Sequence, residues 1–242
     1  MNYLSPDLRT CSPVAGAATL ADRAFDQLQH LIVTLDLKPG EMITESQVMA
    51  RLDIGRTPAR EALLRARYAR LVEPGPGRSH VVTRLDFDQM QQVLEVSGLL
   101  ERLLVARAAS ARSPAEGRQF AAMAAAFGDS VRDGDIDVLL QTIQTLNLLV
   151  GCAARQQVAA RAVAPLCAQT CRLAVVGFRY AGLPLERIAP GYAALAQALA
   201  AGNARRAVDA LAHLLLGWAE IVEALAASPA LREWSIGANG RW

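Results

Sequence analysis

The order of cap and turn signals between residues 44 and 82 constrains this chain more than any other feature. Thr44-x-x-Gln47 has the form of a capping box and opens a helix that runs to Leu52. Asp53-Ile54-Gly55 makes a tight turn. Thr57-Pro58, an N-cap followed by the residue best tolerated at the first helical position, predicts the start of another helix, which continues to about Arg70. Beyond it, Leu71-Val72 and His80-Val81-Val82-Thr83 flank a Gly/Pro-rich stretch, the pattern of a β-hairpin. Upstream, Ala24, Leu28, Leu31, Ile32 and Leu35 recur at helical spacing behind a Thr19 cap, and Leu37-Lys38-Pro39-Gly40 ends that helix. Helix, helix, turn, helix, hairpin is the order of a winged helix-turn-helix.

The rest of the chain is Ala/Leu-rich and broken at Ser113-Pro114, Gly134-Asp135, Gly182/Pro184 and Gly202-Asn203. The pattern predicts helices over Phe87–Ala109, Pro114–Phe127, Ile136–Ala153, Gln157–Tyr180, Glu186–Ala200 and Ala204–Ala226. Short connections make successive helices antiparallel neighbours. The expected fold is therefore mostly α: a winged helix-turn-helix over 19–84, then an antiparallel bundle of about six helices over 86–228. A flexible tail over 1–18 and a C-terminal tail over 229–242, carrying Trp234 and Trp242, complete the expected organisation.

Charge follows the same division. Net charge is only +2, with 25 Lys+Arg against 23 Asp+Glu, which excludes a uniformly basic coat. Yet between Ala50 and Arg84 eight arginines (51, 56, 60, 65, 67, 70, 78 and 84) face three acids, Asp53, Glu61 and Glu73. Phosphate neutralisation would need its cations there. Arg56 and Arg60, four apart at a helix start, project from one face of its first turn, where a recognition helix meets base edges. Arginine there makes paired bonds to guanine, and Thr57 as N-cap would leave the helix-start amides facing a phosphate.

The four cysteines, Cys11, Cys152, Cys167 and Cys171, are too few and too irregular for a secreted disulfide framework. Cys167 and Cys171 lie four apart on one helical face, so a zinc or thiol-switch role competes with simple burial. The first 18 residues lack the apolar core of a signal peptide, and no uninterrupted apolar run reaches about 18 residues. These features predict a cytoplasmic protein without a membrane span.

Lys38-Pro39-Gly40, the run Gly55-Arg56-Thr57-Pro58-Ala59-Arg60-Glu61-Ala62-Leu63, Leu71-Val72 and the Gly-Arg wing closely resemble the GntR family of bacterial transcription regulators. The helical remainder is similar to that of the FadR-type branch, whose C-terminal domain binds ligands. The resemblance implies that Arg56, Thr57 and Arg60 touch DNA, with Arg78 and Ser79 at the wing tip. This chain departs from the family at three places: Gly55 replaces the usual Ser, Arg70 the Gly that ends the recognition helix, and Ser79 the Gly after the wing arginine.

Many relatives hold a divalent metal in the helical domain through an Asp-x-x-x-His pair and two later His residues. Here Ile143 stands for the Asp, Asn147 and Tyr192 for two of the His residues, and only His213 matches. One imidazole does not make a site, so no metal or other cofactor is expected. Asn147, Tyr192 and His213 still mark an expected pocket for a small-molecule effector, an organic acid whose carboxylate pairs with Arg172 or Arg102. The expected partners are a palindromic DNA operator, that effector and a second copy of the chain. A helical interaction module that does not bind DNA is the competing class. An enzyme is disfavoured, because no nucleophile–base spacing, Walker loop or dinucleotide fingerprint occurs.

Overall fold

The computed structural model describes residues 19–231, which build two hydrophobic cores. The first forms around α1 (Leu20–Val33), α2 (Glu45–Leu52) and α3 (Arg56–Tyr68), with the short strands β1 (Met42–Thr44), β2 (Val72–Pro74) and β3 (Ser79–Val82). Thr19 and Asp22 close a capping box on α1, and Thr44 and Gln47 close another on α2. The strands form one antiparallel sheet in the order β1-β3-β2, with Thr44 opposite Ser79 and Pro74 opposite His80. The expected hairpin is thus β2 and β3, and β1 adds a third strand.

The start of α3 differs from expectation. Asp53 takes a left-handed conformation (φ 51°), and Gly55 rather than Thr57 becomes the N-cap, without a side-chain bond. Arg56 is already helical, so Thr57 sits inside the first turn, where its hydroxyl cannot cap. After α3, Arg70 turns the chain into the sheet with φ 55°, the left-handed geometry that favours the family's usual glycine.

The second core is built by α4 (Phe87–Ala111), α5 (Pro114–Asp133), α6 (Ile136–Ala153), α7 (Gln157–Val175), α8 (Ala189–Ala200) and α9 (Ala204–Ala226). α4 packs on α7 and α9, and α8 packs between α5 and α9. Two expected helices are shorter than their patterns. α7 loosens into a π-helical turn over Val176–Tyr180, and residues Leu185–Arg187 form a separate 3-10 turn before Pro190 sets the first turn of α8. Among the described helices only α6 is long and apolar enough to cross a membrane (mean hydropathy 1.4), and it packs against α4, α5 and α7.

Candidate nucleic-acid interface and effector cavity

The wing and α3 enclose an open groove of about 1080 Å³. Arg56, Arg60, Arg78 and Ser79 all line it, so four of the five expected DNA contacts come together, while Thr57 lies exposed outside its lining. Glu45, at the start of α2, was not legible as part of this site. Its carboxylate lies 3.0 Å from Arg56 Nε and 3.9 Å from Arg60 Nε. Both arginines stay more than three-quarters exposed (77% and 78%), so the pairing orients them without burying their charge. Ser79 Oγ donates to the Pro76 carbonyl at 2.7 Å, which commits the hydroxyl to holding the wing turn. Gly75 fits closely there: a Cβ would stand 2.5 Å from Ser79 Oγ and would have to displace that hydroxyl from the turn. His80 also lines the groove; burial, reinforced by the Arg67 charge, lowers its pKa and keeps the ring neutral.

The helical half holds a cavity of about 40 Å³ between α4, α6, α7, α8 and α9. Asn147 and Tyr192 line it; His213 and Arg102 do not, and both are exposed. Tyr192 stacks on Phe127 with centroids 5.2 Å apart, and its hydroxyl accepts from Trp218 Nε1 at 3.2 Å. The charged group in the cavity wall is Glu101, which sequence reasoning missed. Cys167 Sγ donates to its carboxylate at 3.7 Å. Burial raises the Glu101 pKa, outweighing the bonds from Cys167 and Ser97. Burial also pushes the Cys171 thiol up to about 12 and raises Cys167, so both stay protonated and unreactive at neutral pH.

The divalent ion that the family implies does not fit these residues. Ile143 offers no donor, the Tyr192 hydroxyl is engaged by Trp218, and His213 faces away from the cavity. Among the described residues no group of three His, Cys, Asp or Glu side chains is placed to hold a metal.

Arg172, near the end of α7, lies away from the cavity, at the junction of the two halves. It is 3% exposed. Its guanidinium donates to the Thr83 carbonyl, and its Nη1 to Thr83 Oγ1 at 3.0 Å, which ties α7 to the residue that follows β3. Desolvation brings its pKa down to about 10, so it remains a cation at neutral pH. It also lines a cleft of about 620 Å³ between the halves, with Arg67, Arg70 and Arg84 against Glu73 and Asp86.

Residues 20–82 match the bacterial regulatory proteins of the gntR family, and residues 92–217, more than half of the chain, match the FCD domain. The chain belongs to the GntR family of bacterial regulators. It is a DNA-binding transcription regulator with an FCD domain, and proteins of this family act as regulators and not as enzymes. An uncharacterized HTH-type transcriptional regulator in an unstable DNA locus of Streptomyces ambofaciens is 33% identical over 60 residues, 25% of each chain. That match spans a quarter of the relative's length. Two solved GntR-type structures share the fold. One is McbR/YncC of E. coli, with TM-score 0.75 and 19% identity, covering 85% of this chain and 97% of that one. The other is a GntR-type transcriptional regulator of Rhodococcus sp. RHA1, with TM-score 0.62 and 20% identity, covering 86% and 98%.

Proposed function

We propose that this regulator is a bacterial, cytoplasmic homodimer that reads a palindromic operator, with its operator affinity set by a small-molecule effector. In this assignment residues 19–84 bind DNA and residues 86–228 bind the effector and the second subunit. The observation that carries it is the groove in which Arg56 and Arg60 stand exposed on one face of α3, opposite Arg78 on the wing. Helix-borne arginines of this kind read guanine edges, and the wing arginine adds a backbone or minor-groove contact. Thr57, in the first turn of α3, contributes through its exposed hydroxyl and through helix-start amides that face a phosphate.

The effector is an organic acid. Asn147 and Tyr192 offer it hydrogen bonds in the bundle cavity, whose volume of about 40 Å³ has to widen to admit it. Arg172, the buried cation expected to pair its carboxylate, lies outside that cavity at the junction with the DNA-binding half. Arg102 and His213 are exposed and would have to be recruited. The homodimer is supported by an exposed apolar strip on α4, Val96, Leu99 and Leu103, and by a further exposed leucine, Leu216, on α9, the helix that packs on α4.

Arg56→Ala and Arg60→Ala are expected each to lose about 1–3 kcal/mol of operator affinity with the helical fold intact. Fluorescence anisotropy at fixed salt, with circular dichroism as the fold control, decides this. Wild-type affinity in both variants would show that α3 is not the reader.

A further inference from the structure

We propose that the cleft between the two halves is a binding site for a small anion bearing carboxylate or phosphate oxygens, held by Arg172 from the bundle side and Arg70 from the DNA-binding side. The site is separate from the bundle cavity and stands on its own geometry.

The first observation is Arg172 itself. Arginine carries five N–H donors and an obligatory charge. Thr83 accepts two of those donors, no carboxylate pairs with the side chain among the described residues, and Nε is buried without any partner. A buried cation without a counter-charge is a costly arrangement that proteins seldom keep, and a bound anion removes the cost.

The second observation is the shape and charge of what Arg172 faces. The cleft of about 620 Å³ falls inside the range of roughly 300–1,000 Å³ usual for small-ligand sites, whereas the bundle cavity of about 40 Å³ has room for little more than water. Four arginines line the cleft against two carboxylates, Glu73 and Asp86, so positive charge is in excess there although Asp86, the α4 N-cap that accepts from the Gln89 amide at 2.9 Å, keeps its own charge. Gln89 and Gln169 supply neutral donors beside the arginines.

The placement has a regulatory consequence. One wall of the cleft comes from the end of α3 and from β2, and the other from the starts of α4 and the end of α7. An anion bridging Arg70 and Arg172 would fix the reading head against the bundle. That consequence rests on the DNA-binding assignment above, whereas the site does not.

Isothermal titration of the full chain with citrate and, separately, with inorganic phosphate tests the site at constant ionic strength. Saturable binding of at least one probe is expected. Arg70→Gly should weaken it about tenfold, the usual scale for losing one charge-assisted contact, and leave the fold intact because glycine suits φ 55°. Arg172→Gln should abolish it. If that variant fails to fold, Arg70→Gly decides alone. Citrate binding without phosphate binding would identify a carboxylate site, and the reverse a phosphate site. No heat with either probe at millimolar concentration, or affinity unchanged in Arg70→Gly, would overturn the proposal. Titration in the absence of DNA keeps this outcome separate from the operator measurement. If Arg56→Ala and Arg60→Ala bind operator normally while citrate still binds, the reader fails and the anion site survives.

Discussion

Glu101 shows how one side chain sets the energetics of the bundle interior. Its carboxylate sits in an apolar wall with hydrogen-bond donors from Cys167 and Ser97 and no cation lining the same cavity. Burial raises its folded pKa above the unfolded value, so over a window above the ordinary glutamate range the folded state holds a proton that the unfolded chain lacks. Stability is then greatest at or below the unfolded pKa, and it falls as pH rises through the raised folded value. Glu101→Gln keeps the shape and an acceptor oxygen and removes the charge. It is expected to stabilise the protein at neutral pH by roughly 1–3 kcal/mol, the scale of a poorly compensated buried polar group, and to flatten that part of the pH profile. Urea titrations of both proteins across the acid-to-neutral range measure this directly. Identical slopes in the two would mean that Glu101 is solvated or paired in solution.

Helices α8 and α9 are pinned together by the Trp218–Tyr192 hydrogen bond, and Tyr192 also stacks on α5 through Phe127. Tyr192→Phe retains the stacking and strands a buried indole N–H. It should lower stability by about 1–3 kcal/mol with an unchanged denaturant slope. A wild-type midpoint would show that water satisfies Trp218. The same coupling means that loss of effector response in Tyr192→Phe is not by itself evidence of a ligand contact; Trp218→Phe is the control. At this scale the sequence was most legible where side chains cap their own helices. Thr19, Thr44 and Ser113 close the boxes that start α1, α2 and α5, and Asp135 and Asn203 fix the starts of α6 and α9. It was least legible where distant segments decide. β1 is three residues long and exists because β3 pairs with it, and Glu101 meets Cys167 across two helices with no spacing to announce it. His213 is a different case. Leu211, Leu214 and Trp218 define the buried face of α9, and His213 falls between them on the outward side, so its exposure was readable from the period alone. The tails holding Cys11, Trp234 and Trp242 lie outside the described residues.

A palindromic operator is read by two heads, so the proposed function requires a second copy whose position is fixed by the helical halves. The outer side of α4 is suited to that task. Val96, Leu99 and Leu103 recur at helical spacing and are 53%, 74% and 44% exposed, and Leu216 on the adjoining α9 is 63% exposed. Close approach of the two helices is enforced from within: a Cβ on Gly98 would stand 2.8 Å from Leu215 Cδ1, so α9 sits tight against α4. A strip of large apolar side chains open to water is uncommon on a monomer, and covering it with its own symmetry copy is the simplest arrangement that a two-fold operator would also use. Leu99→Glu places two charges face to face near such an axis without touching either core. The variant is expected to sediment as a monomer where the wild type sediments as a dimer, with unfolding little changed per chain. Operator binding should then weaken far more than binding to an isolated half-site, because the second head no longer benefits from the proximity of the first. A wild-type sedimentation profile for Leu99→Glu would move the dimer surface to another face. A monomeric wild type at operator-saturating concentrations would remove the dimer altogether.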